Sequence, residues 1–164
     1  MTGFDNDTSR RSIDEFETFV RASEERLRIA LTASFGVAEG RMAAVDALSW
    51  AWENWDRVKA MANPVGYLYR VGRTSAHRIR PRPIPVANGE VRVDVDVERI
   101  SPELVKAIGD LSDQQRCAVM LVHAFGWTVR DVSEVLDVAP STVQTHSERG
   151  LARLRNNLEE THVH

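Results

Sequence analysis

The chain has 164 residues, 43% of them hydrophobic and 27% charged, with a formal net charge of −3. This fits one ordinary globular domain or two small ones and excludes a disordered or fibrous chain. A single cysteine, Cys117, excludes an internal disulfide. No Cys/His spacing resembles a zinc site, so no metal or other cofactor is expected, and a reducing cytoplasm is the expected setting. Residues 1–11 are polar and unlike a signal peptide, and no stretch approaches the length of a membrane span.

Most of the chain reads as helix. Ser12 with Glu15 has the spacing of a capping box. It precedes an apolar series, Phe16, Phe19, Val20, Leu27, Ala30, Leu31 and Phe35, at helical period. Gly36 and Gly40 bracket a short break, and a second helix is expected from about 41 to 61. Its core stripe is Ala44, Val45, Leu48, Ala51, Trp52 and Trp55. Trp50 falls on the opposite face with Asp46 and Glu53, which points to contact with a partner rather than to packing, since tryptophan is enriched at interfaces. Asn63 followed by Pro64 is a cap and a first-turn proline, opening a third helix to about residue 80.

That third helix gathers Arg70, Arg73, His77, Arg78 and Arg80, with Arg82 just beyond and Tyr67 and Tyr69 before them. Acidic residues are wanting from Lys59 to Asn88. Charge for a phosphate backbone beside rings for exposed bases suits nucleic acid. The plainer reading is a solvated basic face neutralised elsewhere. Such a patch answers the mild objection that a chain of negative net charge makes to DNA binding, because charge matters where it sits.

Three of the six prolines stand in residues 81–85, and the strictly alternating, acidic stretch 90–98 follows. Alternating prolines forbid a helix. An isolated strand has nothing to pair with in a helical protein, so an extended linker is expected over 81–100. Ser101 with Pro102 opens a second helical block. Ser112 with Gln115 caps a helix to about Ala124, Gly126 breaks it, and Thr128 with Asp131 opens a short helix to Leu136. Asp137 stands where the chain needs a left-handed residue, a conformation aspartate tolerates better than most. Ser141 with Gln144 opens the last helix, to about Asn157.

A short helix, a tight turn at 137–140 and a longer helix make a helix-turn-helix. Wheel geometry turns Val143, Ser147, Gly150, Leu151, Leu154 and Leu158 inward. It turns Ser141, Gln144, Thr145, Glu148, Arg149 and Ala152 outward, with Arg153 and Arg155 nearby. Glutamine can pair with adenine, arginine with guanine, and glutamate can accept from cytosine. Ser141 and Thr142 at the helix start suit a phosphate. A helical hairpin with an ordinary polar face is the plainer alternative. No nucleophile–base pair or phosphate loop points to an enzyme.

Two blocks resemble the sigma-70 superfamily, specifically its extracytoplasmic-function group. One is residues 111–116 (LSDQQR) through 142–145 (TVQT) and 149–155 (RGLARLR). The other is residues 52–58 (WENWDRV) with 63–71 (NPVGYLYRV). The resemblance implies an all-α chain of two small domains. Residues 1–80 would be a clamp-docking and minus-ten-binding domain, 81–100 an acidic linker, and 101–164 a helix-turn-helix domain for the minus-thirty-five element. It implies a sigma factor whose partners are core RNA polymerase (the beta-prime clamp and beta flap), promoter DNA and a possible anti-sigma factor. It assigns minus-thirty-five DNA to Ser141, Thr142, Gln144, Thr145, Glu148, Arg149 and Arg153. It assigns minus-ten DNA to Tyr67, Arg70, Arg73, Thr74, His77 and Arg78, and polymerase to Asp46, Trp50 and Glu53. The chain departs from the family pattern where only Asp46 keeps an acidic role before the first tryptophan, and where Thr74 and His77 stand in place of an asparagine and an aspartate. The alternative is a stand-alone helix-turn-helix regulator with an N-terminal interaction domain.

Overall fold

A computed structural model describes residues 3–78 and 101–163. The expected linker at 81–100, with Arg80 and Arg82, lies outside the described residues. Among the described residues there is no strand. The helices are α1 (Gly3–Phe35), α2 (Val37–Glu53), α3 (Trp55–Val58), α4 (Pro64–Arg78), α5 (Pro102–Gly109), α6 (Asp113–Val119), α7 (Val129–Leu136) and α8 (Pro140–His162), with a π-helical turn at Met120–Ala124 continuing α6.

The helices α1, α2 and α4 pack against one another. Gly36, at φ 92°, breaks α1 from α2. Gly40 lies inside α2, not at a break, and its lack of a side chain lets α2 touch α1. A Cβ there would sit 2.5 Å from the Thr32 backbone. Ser12 is interior to α1 rather than its cap, because nothing in residues 3–11 stops a helix from extending upstream. The second helix ends at Glu53, where Asn54 breaks it before α3.

The buried stripe of α2 is Gly40, Ala43, Ala44, Ala47 and Ala51. Val45 and Trp52, expected in the core, are 63% and 44% exposed. The small alanines allow close helix approach. They move the buried face by about a quarter-turn from the one that the larger apolar residues suggest, since buried area and not side-chain size alone sets the face. Trp52 instead meets Phe16 at a ring-centroid distance of 5.0 Å, while Trp55, buried in the core as expected, meets the same ring at 5.3 Å.

In the C-terminal domain the expected starts at Ser101, Ser112 and Thr128 are present. Ser101 accepts from the Leu104 amide. Ser112 with Gln115 and Thr128 with Asp131 form complete capping boxes. Asp137 is left-handed at φ 53°, ψ 48°. The last helix starts two residues before the expected place. Ala139 occupies the cap position and Pro140 the first turn, because the proline ring presets helical φ and needs no donor there.

The helices of residues 3–78 and those of residues 101–163 pack together, α1 and α4 receiving α6 and α7. One buried apolar cluster runs from Leu27, Ala30 and Leu31 of α1 through Tyr69 of α4 to Cys117, Ala118, Leu121, Val132 and Val135. Arg116, 2% exposed, ties the domains. Its guanidinium donates to the carbonyls of Ile108, Gly109 and Leu111 in its own domain and to Ser34 of α1 at 2.5 Å.

Candidate nucleic-acid interface

The helix α8 buries Val143, Ser147, Gly150 and Leu154. Its opposite face leaves Ser141, Gln144, Thr145, Glu148, Arg149 and Arg153 exposed, and Thr142 half-buried. All seven residues expected to read the minus-thirty-five element therefore share the accessible side or start of one helix. The Thr145 hydroxyl donates to the Ser141 carbonyl at 3.0 Å, so its lone pairs, not its proton, face outward. His146 is half-buried, and burial followed by the nearby Arg149 pushes its pKa down. It is neutral at physiological pH and adds no charge to the reading face.

The face of α4 carries Tyr67, Arg70, Thr74, His77 and Arg78 at helical spacing, with Arg73 half-buried beside them. Thr74 donates to the Arg70 carbonyl at 3.1 Å. Tyr67 belongs to an aromatic stack. Its ring lies 5.4 Å from that of Trp50, and the Arg57 guanidinium lies 5.6 and 5.8 Å over the two rings. Trp50 thus leans across to α4 and is half-buried.

Asp46 accepts from the Ser75 hydroxyl and joins α2 to α4. Glu53 is exposed. The outer face of α2 is completed by Met42 and Val45, 52% and 63% exposed.

Two of the α4 residues are engaged by the other domain. Arg70 pairs with Asp137 at 3.0 Å and His77 with Asp113 at 2.9 Å. Arg26 of α1 reaches Glu134 at 3.5 Å and lies 5.6 Å over the Trp127 ring. Arg57 and Arg116 fall within the blocks 52–58 and 111–116, but no role of their own was read for them or for Arg26 in the sequence. An arginine that caps a stack or spans two domains has no distinctive spacing of its own.

Among the described residues no group of His, Cys, Asp and Glu is placed to hold a metal ion. No helix among them is long and apolar enough to cross a membrane.

Among the described residues the chain is helical, and it carries a helix-turn-helix and a second basic, aromatic helix face. Residues 101–154 match the family model of sigma-70, region 4. None of the curated proteins matches the sequence. Among solved structures the chain is similar to the sigma factor RpoE of Bartonella quintana, described in complex with the anti-sigma factor NepR. The TM-score is 0.58 at 19% identity, over 88% of this chain and 97% of that one. The shared feature is the fold.

Proposed function

We propose that the chain is a sigma factor of the extracytoplasmic-function group that carries core RNA polymerase to specific promoters and helps to melt them, with no catalysis of its own. The observation that carries this reading is the exposed face of α8, with Gln144, Glu148 and Arg149 turned outward together. Residues 101–164 then read the minus-thirty-five element in duplex form through Ser141, Thr142, Gln144, Thr145, Glu148, Arg149 and Arg153.

Residues 1–80 hold the minus-ten element. Arg70, Arg73, His77 and Arg78 meet the strand, Thr74 lies against it, and Tyr67, held in place by Trp50 and Arg57, offers a ring for an unpaired base. Unpaired bases are stabilised by replacing lost stacking with such contacts. The outer face of α2, with Asp46, Trp50 and Glu53, docks on the beta-prime clamp, and the helix-turn-helix domain meets the beta flap. The acidic segment at 81–100 joins two weak DNA modules and raises their joint affinity through effective concentration. An anti-sigma factor, as found with the Bartonella protein, is the expected external control, and the cytoplasm is the expected compartment.

The test is co-elution of the purified full-length chain with core polymerase stripped of its other sigma factors. Co-elution supports the reading. A folded chain that binds duplex DNA specifically but leaves core polymerase alone is a stand-alone regulator instead.

A further inference from the structure

Two of the three residues that the proposed function places on the clamp are held from the side by α4. Trp50 of α2 lies against the Tyr67 ring, with the Arg57 guanidinium over both. One turn earlier on α2, the Asp46 carboxylate accepts from the Ser75 hydroxyl of α4, 29 residues away in sequence. The two helices approach closely here. Three residues before each partner, a Cβ on Gly72 would lie 3.2 Å from the Ala43 carbonyl oxygen. Serine, the shortest hydroxyl side chain, therefore spans the seam.

The proton of Ser75 goes to an uncommon place for this fold. A serine or threonine inside a helix has a ready acceptor in the carbonyl four residues back. Thr18, Ser34, Thr74, Thr145 and Thr161 all use it. Ser75, next to Thr74, turns to a carboxylate on another helix instead. An ionised acceptor makes the stronger bond.

Asp46 is exposed. An exposed carboxylate on a helix surface samples several rotamers, and a partner that engages it must immobilise it at a cost in affinity. With Oδ2 bound to Ser75, the rotamer is fixed before the partner arrives and Oδ1 is left for a cation. Ser75 is half-buried against α2 and lies off the exposed row of Arg70, Thr74 and His77, so its loss leaves the strand-facing side chains in place.

We propose that Ser75 is a positioning residue for polymerase docking: its hydroxyl holds the Asp46 carboxylate in the orientation that takes a basic side chain of the core enzyme. The inference rests on the docking role proposed for α2.

The experiment measures the affinity of the full chain for core polymerase, using the unaltered protein, Ser75→Ala, Asp46→Ala and the double variant. Thermal melting of each free chain is followed alongside. Alanine is the best helix former, so neither substitution breaks its helix. Ser75→Ala is expected to weaken core binding by roughly three- to tenfold, the worth of one oriented hydrogen bond, with its melting temperature little changed. Asp46→Ala should weaken it at least as much. The double variant should bind no worse than Asp46→Ala, because Ser75 then has no carboxylate to position.

A bond that serves only the fold would lower the melting temperature of Ser75→Ala and leave the core affinity of the folded chain unchanged, which overturns the proposal. Additive losses in the double variant overturn it too, since Ser75 would then act apart from Asp46. If Asp46→Ala binds core polymerase as well as the unaltered chain does, Asp46 leaves the docking face and the proposal falls while the sigma reading stands. If the folded, unaltered chain does not bind core polymerase, the sigma reading itself falls and takes the proposal with it.

Discussion

Arg116 shows how much of this fold hangs on one side chain. Its charge is nearly removed from water, and burial pulls its pKa below the usual arginine value while Asp113 pulls the other way. Four carbonyl oxygens from two domains surround it. Arg116→Met keeps much of the volume but strands those acceptors, and is expected to destabilise the protein by about 3 kcal/mol in thermal or urea unfolding. Its neighbour Cys117 gives a pH signature. Burial, the largest cause, raises the thiol from 9.0 to about 11. The folded state therefore holds its proton at pH values where the unfolded chain has released it. Stability from this source is whole below pH 9 and drains away as pH rises towards 11, by about 2–3 kcal/mol in total. Tyr69 beside it is also raised by burial, so the test is the difference between the unaltered protein and Cys117→Ala. The variant should show a shallower alkaline loss in urea midpoints between pH 8 and 11. Neither role was legible in the sequence, where Arg116 is one of several arginines and Cys117 an ordinary small apolar residue.

The elements were more readable, and the reason is local chemistry. A serine or threonine that closes a reciprocal box announces a helix start wherever the chain upstream cannot itself be helical, as at Ser112 and Thr128. The same spacing misled at Ser12, where the upstream residues continue the helix, and at Ser141, where Pro140 had already begun it. Thr128→Ala should cost about 1 kcal/mol by removing the cap of α7, measurable as a lowered melting temperature. The wheel of α8 was right throughout because its inner face alternates bulky and small residues that have one place to go. The wheel of α2 was not, because alanine marks a face only through what lies against it. At this scale the two DNA surfaces separate by experiment. Arg149→Ala should weaken binding to the specific promoter more than to random duplex, as a base-reading side chain does. Arg78→Ala should weaken both alike, as a phosphate contact does. Competition binding on the two DNAs distinguishes them, and equal losses for Arg149→Ala would remove it from the base-reading set.

At the scale of the whole molecule, periodicity tells which face of a helix is buried but not which neighbour buries it. Ala30 reads as part of the apolar series of α1, yet with Ser34 and Arg26 on the same side of that helix it lies against Cys117, Arg116 and the acidic α7. The basic patch on α4 was expected to be balanced by acid in the linker and N-terminus. Among the described residues the α6–α7 region supplies it, through Asp113 and Asp137.

This arrangement predicts an unusual response to salt. Binding of single-stranded DNA releases counterions, so log K falls with log salt at about 0.7 per phosphate contacted. Where a strand competes with Asp137 and Asp113 for Arg70 and His77, salt also screens those partly exposed pairs, which works in the opposite direction. The measured slope is the sum of the two effects. The unaltered protein should therefore lose affinity for the oligonucleotide less steeply than Asp113→Asn/Asp137→Asn, and the two curves should approach one another at high salt. Fluorescence anisotropy across a salt series reads both slopes. Parallel lines would mean that the pairs stay intact while DNA binds, and that the strand is held by groups other than Arg70 and His77.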